Sequence, residues 1–321
     1  MKPRIPHVER VVETAKDPGA AARSRLAASW RRSLDHHGLD PGRRDDVHRI
    51  SETEFSERRE RAENIRRIAT PKLDNLYQLV GSSGCGVLLT DADGVVLDVR
   101  VSDADRSVFE AWGLAPGSDW SEASEGTNGI GTCIAENRRV IIHRDEHFHA
   151  RNTGMSCIDA PVFGPEGDLI GALDVSSARA DQTEAINRLI AAQVAHTARQ
   201  IETDCFRAAF ADARIIVADD DDTDQAMLLA VDGDDLVIGA TRGARLNFGL
   251  GLSGPVRAVP ASDLFGRDEG PTGFEKAERA AVIRALSRAD GNVSQAARAL
   301  GVGRATLYRR MKRLGIGEKL S

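Results

Sequence analysis

Two stretches of this chain carry side chains whose types and spacing could do chemistry. In the first, residues 304–314, Leu307, Met311 and Leu314 recur on one stripe of a helical repeat. Arg304, Thr306, Tyr308, Arg309, Lys312 and Arg313 occupy the other positions. An apolar stripe can pack while guanidinium, ammonium and hydroxyl donors face outward, the arrangement that meets phosphates and base edges of DNA. In the second stretch, Trp112, Trp120, Asn128, His147, Phe148, Cys157 and Asp159 surround a glycine-dense segment, Glu125-Gly-Thr-Asn-Gly-Ile-Gly. Apolar walls with a few polar groups suit a small-molecule effector. The segment lacks GxGxxG order and the Walker Lys-Ser/Thr, so a phosphate loop is not expected. Its glycines are expected to let a helix or loop approach a sheet closely.

His143, His147 and His149, with Asp145 and Glu146 between them, have the composition of a metal site. A polar loop is the better reading, so no metal and no cofactor are expected. Cys85, Cys133, Cys157 and Cys205 are scattered without CxxC spacing. This suits reduced cytosolic thiols rather than a disulfide framework or zinc finger. Cys133 and Cys157 leave a redox sensor open as an alternative, although nothing adjacent in sequence would lower a thiol pKa.

Elements must position these residues, and 321 residues allow two or three domains. The chain is 41% hydrophobic and 29% charged, enough to bury a core. No apolar run approaches the roughly 20 residues of a spanning helix, and no secretory signal is read at the start. Net charge is −6, unevenly spread. Residues 272–321 hold eleven basic and four acidic residues, net +7, which leaves −13 on the rest. A basic module on an acidic body is the asymmetry of a chain with one phosphate-binding part.

The expected fold class is multidomain α+β. Residues 1–70 read as N-terminal helices, with Leu26, Trp30 and Leu34 on one stripe. A second helical stretch spans 51–77, opened by a Ser51/Glu54 capping box and kinked or restarted at Pro71, with Ile65, Ile68, Leu76 and Leu79 packing. Residues 71–203 read as an α/β sensor domain. Its strands lie near 84–91, 95–99, 140–143, 157–163 and 169–175, and a long helix spans 182–210. Residues 204–265 read as a small β-rich connector with nine aspartates between Asp212 and Ala240 and an exposed turn at Asp219–Asp222. Residues 266–321 read as helices, the middle one short, alanine-rich and capped by Ser294, before a Gly301-Val-Gly turn. That pattern is a helix-turn-helix.

The run Gly291-Asn-Val-Ser-Gln-Ala-Ala-Arg-Ala-Leu-Gly-Val-Gly-Arg-Ala-Thr-Leu-Tyr-Arg-Arg-Met-Lys-Arg-Leu-Gly-Ile resembles the Fis-type helix-turn-helix. The resemblance implies an all-α unit that pairs as a dimer and puts its last helix in the major groove. Arg304 and Thr306 would then meet bases and nearby phosphates, and Arg309 and Lys312 phosphates. Gly303 stands where a polar cap is usual. Upstream, Ser24-Arg-Leu-Ala-Ala-Ser-Trp-Arg-Arg-Ser, Ser124-Glu-Gly-Thr-Asn-Gly-Ile-Gly-Thr-Cys, Cys157-Ile-Asp-Ala-Pro-Val-Phe and Gly171-Ala-Leu-Asp-Val-Ser resemble the GAF sensor region of regulators of the acetoin-catabolism type. That resemblance implies a mixed-topology sheet, helices on one face, a pocket on the other, and a long helix that pairs two subunits.

Such regulators usually place a sigma-54 ATPase between sensor and helix-turn-helix. Here about 70 residues separate the two parts, and no Gly-x4-Gly-Lys-Ser/Thr occurs. The connector fills that place, with a reduced PAS-like β-domain as one reading of it. The expectation is a cytoplasmic, non-enzymatic, sequence-specific transcription regulator. It would bind operator DNA as a homodimer under a small-molecule effector, with RNA polymerase a further partner. An architectural DNA-binding protein is the other alternative.

Overall fold

The computed structural model of the chain describes residues 6–177, 184–218, 226–265, 274–289 and 291–316. The Asp219–Asp222 turn, residues 182–183 of the expected long helix and the ends of the basic segment lie outside the described residues. The fold divides into two compact units, Met1–Pro260 and Ala261–Ser321.

The first unit begins with three helices: α1 (His7–Lys16), α2 (Ala20–Arg23) and α3 (Arg25–Arg31), the last continuing as a π-helical turn, Arg32–His36. Trp30 is buried with Val11 and Ala15, and Leu26 and Leu34 pack on them, as their spacing of four predicts. Then come α4 (Glu52–Arg61) and α5 (Glu63–Val80). Ser51 Oγ accepts the Glu54 N–H at 3.2 Å, but the Glu54 carboxylate reaches forward to Arg58, so only half of the capping box forms. The chain breaks at Ala62, not at Pro71. Proline removes one helical hydrogen bond. The buried stripe Ala69, Leu73, Leu76 and Val80 runs on both sides of it and holds α5 continuous. Leu79, expected in the stripe, is 62% exposed.

The sensor sheet uses β1 (Cys85–Thr90), β2 (Val96–Arg100), β3 (Val140–His143), β4 (Ser156–Phe163) and β5 (Leu169–Ser177), in the order β2-β1-β5-β4-β3. Every neighbouring pair is antiparallel, so the expected mixed topology is corrected. Hairpins join β1 to β2 and β4 to β5, and β5 returns beside β1 running against it. One face packs on α5 and the long α9 (Glu184–Ala209) through Val87, Leu89, Ile158, Val175, Val194 and Ile201. The other face is covered too, by α6 (Arg106–Ala111), α7 (Glu122–Glu125), α8 (Gly129–Glu136) and the N-terminal helices. Helices therefore lie on both faces rather than one.

A second antiparallel sheet follows α9: β6 (Arg214–Val217), β7 (Leu228–Val231), β8 (Leu236–Ala240) and β9 (Val259–Pro260) in sequential order, with α10 (Arg242–Phe248) between the last two. It grips the β4–β5 hairpin of the sensor. The Arg242 guanidinium lies 5.0 Å over the Phe163 ring and donates to Gly167 O at 3.2 Å and Leu252 O at 2.9 Å. Gly254 N–H donates to Glu166 O at 3.0 Å. Gly167, at φ 78°, leaves room for the buried Arg245 stem, which a Cβ there would strike. From the other side, Glu202 on α9 accepts the Phe163 N–H at 3.0 Å.

The second unit holds α11 (Ala261–Leu264), α12 (Phe274–Arg288), α13 (Val293–Ala299) and α14 (Arg304–Arg313). Val282, Leu286, Ala296, Ala297, Leu307, Met311 and Leu314 form its core. Asn292, not Ser294, caps α13, because its Oδ1 lies two residues earlier and accepts the N–H groups of Ser294 (3.0 Å) and Gln295 (3.2 Å). Leu73→Ala should cost about 3 kcal/mol in chemical denaturation because it opens a cavity between α5 and the sheet. Leu79→Ala should cost less than about 0.5 kcal/mol. Equal losses would contradict the observed stripe.

Candidate functional site

The glycine-dense segment is built around two buried carboxylates. Ser121 Oγ accepts the Ser124 N–H at 3.2 Å and opens α7. Glu122, on the first turn, takes Arg32 Nε at 2.6 Å and Nη2 at 2.8 Å, and Ser29 Oγ donates to it as well. Glu125, on the last turn, pairs with Arg151 at 2.5 Å. Burial pushes the Glu125 carboxyl up, and the guanidinium opposes that rise. Asn128 caps α8: its Oδ1 accepts the Gly131 N–H at 2.8 Å, and its Nδ2 donates to Gly126 O (2.8 Å) and Trp120 O (3.1 Å). All of its hydrogen-bonding groups are thus used within the segment. Gly129 needs no Cβ because α8 starts directly against Asp159 and Cys157 of β4. Gly129 thus provides the expected close helix–sheet approach, whereas Gly131 lies against the backbone of Trp120 and Glu122, and Gly126 against Phe148.

Beneath α8 lies a buried polar layer on the sheet. Asp159 and Asp174 are register partners on β4 and β5, as are Cys157 and Ser176. All four face α8, since Ile158, Val175 and their alternates face α5 and α9. Ser176 Oγ sits 3.0 Å from Asp174 Oδ1 and 3.2 Å from Cys157 Sγ. His147 Nε2 is 3.4 Å from the same sulfur, and its Nδ1 is 2.9 Å from Arg144 O. Two carboxylates on register-partner residues in an apolar setting do not both ionise readily, so the pair holds a proton well above the usual carboxylate range. Burial, then the charge of its neighbour, pushes Asp159 well up, and burial raises Asp174 to about 7. Burial lowers His147 to about 4, so its ring is neutral near pH 7. Burial also raises the Cys133 and Cys157 thiols, which opposes thiolate chemistry at either.

The structure brings His147, Cys157 and Asp159 together in this layer. Trp120 and Phe148 belong to the core: Trp120 packs with Leu88, Phe109 and Ile130 and donates Nε1–H to Gly113 O at 2.9 Å, and Phe148 lies under Trp30. Trp112 instead lines a separate cavity of about 470 Å³ with Val47, Arg44 and Arg151. The histidines diverge. His143 Nδ1 is 2.7 Å from Ser156 Oγ, and among the described residues no three metal-binding side chains converge. Asp174, Ser176 and Glu122 were not singled out from sequence. The available signal was an acid interrupting an apolar strand on each of two neighbouring strands, Cys157-Ile-Asp-Ala and Ala172-Leu-Asp-Val.

On the second unit, α14 presents Arg304, Tyr308, Arg309 and Lys312 to solvent, with Thr306 half-buried. The Arg304 guanidinium lies 5.7 Å over the Tyr308 ring. Arg309 Nη2 is 3.5 Å from Thr306 Oγ1. Arg313 turns back to pair with Glu278 of α12, which also holds Arg310 at 3.1 Å.

A five-stranded antiparallel sheet between two helical layers is thus carried in one chain with a helix-turn-helix whose last helix is basic. Residues 64–199 match the GAF domain family and residues 273–314 the bacterial regulatory protein, Fis family. The chain therefore carries a GAF domain and a Fis-family helix-turn-helix, and it is related to the acetoin-catabolism regulators. It is 31% identical over 273 residues to the acetoin catabolism regulatory protein of Cupriavidus necator, covering 81% of this chain and 40% of that protein. It is 29% identical over 159 residues to the acetoin dehydrogenase operon transcriptional activator AcoR of Bacillus subtilis, covering 49% and 26%. It is 30% identical over 164 residues to the propane 2-monooxygenase operon transcriptional activator MimR of Mycolicibacterium smegmatis, covering 50% and 27%. The chain thus spans well under half the length of these relatives. Its fold resembles that in the E. coli DhaR(N)–DhaL complex, with a TM-score of 0.52 at 15% identity over 80% of this chain and 85% of that one. Among the described residues no helix is long and apolar enough to cross a membrane.

The retained proton has a measurable consequence. Unfolded aspartates lose their protons near about pH 3.9, whereas the folded pair keeps one to about pH 7 or above. The folded state therefore binds more protons between these limits, and stability contributed by the pair falls as pH rises through them. Asp159→Asn relieves the repulsion at nearly constant volume. Its stability relative to wild type should rise progressively between about pH 5 and pH 8. A pH-independent difference in urea denaturation would refute the retained proton.

Proposed function

We propose that this chain is a DNA-binding transcription regulator whose GAF domain answers to a small-molecule effector. The observation that carries this reading is the presence, in one chain, of a sensor sheet with a buried polar layer and of a helix-turn-helix with an exposed basic helix. In this reading Arg304 and Thr306 meet bases and nearby phosphates, Tyr308 lies beside them, and Arg309 and Lys312 meet phosphates. Arg313 is engaged by Glu278 and contributes least. One module offers only a handful of phosphate contacts, so specific binding calls for a homodimer on an inverted repeat. Leu79 on α5 and Ile186 and Leu189 on α9 are exposed apolar side chains that support pairing through these helices. The protein would act in the cytoplasm and act on transcription with RNA polymerase.

The effector would be held at the polar layer by His147, Cys157 and Asp159, within walls built by Trp120, Phe148 and the Asn128 cap. The related regulators are named for acetoin and propane operons, so a small, weakly polar metabolite is the class proposed here. Because α8 sits directly on Asp159, entry requires the α7–α8 segment to lift. That motion must favour one dimer geometry over another for the effector to alter DNA binding.

Genomic DNA recovered by the purified chain at near-physiological salt should contain a palindromic motif with half-sites about one helical turn apart. Motif-free recovery that vanishes with added salt would instead identify an architectural protein. Arg309→Ala should weaken all sites similarly and reduce the salt slope by about 1. Leu189→Asp should shift the chain toward monomer in sedimentation and weaken palindrome binding with it; an unchanged dimer would place the pairing surface elsewhere.

A further inference from the structure

A cavity lies on the α5 and α9 face of the sheet, away from the polar layer. It encloses about 590 Å³. Its floor is apolar: Ile65 and Ile68 from α5, Ile170 from β5, and Ala208 from the last turn of α9. Its rim is basic, with Arg61 at the end of α4 and Arg67 on α5. The acids in the wall are already neutralised. Arg58 binds Asp91 at 2.8 Å and Asp93 at 2.7 Å, and it also holds Glu54. Neither Arg61 nor Arg67 has an ion pair among the described residues. The cavity thus combines an apolar body with two uncommitted guanidinium groups, at a size usual for small ligands.

We infer that this groove binds a small amphiphilic anion, an aliphatic or aromatic carboxylate, with its apolar body on Ile65, Ile68 and Ile170 and its carboxylate on Arg61 and Arg67. Arginine suits this role because its planar fork takes a carboxylate bidentately and its charge persists at any physiological pH. The site differs from the polar layer in face, charge and residues. Its walls come from the α4–α5 junction, the β4–β5 hairpin and the end of α9. An occupant would therefore touch the same hairpin that Arg242 and Gly254 hold from the second sheet. The inference concerns binding alone and stands whether or not the DNA-binding reading does.

The test is calorimetric titration of the full chain with hexanoate, with 1-hexanol as the body without the charge and acetate as the charge without the body. Hexanoate should bind at least about tenfold more tightly than either. The Arg61→Glu/Arg67→Glu variant should weaken hexanoate by about tenfold or more, and Ala208→Trp, which fills the groove, should abolish binding. Circular dichroism and the ligand-free thermal transition establish that both variants fold; both substitutions fall on exposed positions. A wild-type chain that ignores millimolar hexanoate would overturn the inference. So would hexanoate binding that survives both variants. Conversion to monomer by Ala208→Trp with hexanoate binding unchanged would identify the groove as an interface between copies of the chain, which also overturns it.

Discussion

The buried Glu122 carboxylate is the constraint from which the arrangement of the first unit follows. A carboxylate removed from water must be paired and hydrogen-bonded, or the fold bears several kcal/mol of uncompensated charge. Here the partners come from about 90 residues away: Arg32 supplies two donors and Ser29 a third. The N-terminal helices are thereby required to lie on the sensor, whatever their own helical propensity. Once there, Trp30 covers Phe148 and donates Nε1–H to Glu146 O at 2.8 Å, and Ser33 Oγ reaches Thr127 at 3.2 Å. The segment from Glu122 to Asn128 is fixed from both sides, which lets Gly129 start α8 directly against the sheet.

The two faces of that sheet then divide the labour. The face toward α5 and α9 is apolar and supplies most of the packing energy, since buried aliphatic side chains contribute about 1.5–3 kcal/mol each. The face toward α8 gives up some of that energy to two carboxyls, a thiol, a hydroxyl and a neutral imidazole. Buried polar networks of this kind are costly unless every member is satisfied, and here both Asp159 oxygens and Asp174 Oδ2 have no hydrogen-bond partner among the described residues, so the layer is held at a cost.

Much of this was legible in the sequence. The strands, their turns and the long helix followed from alternation and spacing, because those patterns are set locally. The helix-turn-helix was legible for the same reason, with Leu307, Met311 and Leu314 buried as their spacing required. The errors are those of tertiary context. Pro71 looked like a break, but the buried stripe around it outweighs one lost hydrogen bond. Leu79 fits a stripe in sequence and faces solvent in the fold. Ser294 and Asn292 can both cap a helix, and only the backbone geometry decides between them. Trp120, Phe148 and Asn128 are of types that serve a binding wall, a core or a cap alike, and sequence alone does not separate these uses. Asp174 stood in plain view within a strand. Its importance comes only from lying opposite Asp159, and strand register is not written in either strand alone.

The second sheet is fastened to the sensor twice, by chain continuity through α9 and by the hold of Arg242 and Gly254 on the β4–β5 hairpin. In mechanical terms this closes a linkage. A lever hinged at one end swings freely, whereas one pinned at two points can move only as the body between the pins deforms. The body here is β4 and β5, the strands that bear Asp159 and Asp174, with Glu202 clamping their hairpin to α9. Rotation of α9 alone is resisted, and displacement of the two strands is passed on directly. The second sheet consequently reports the shape of the sensor's central strands rather than the swing of its longest helix.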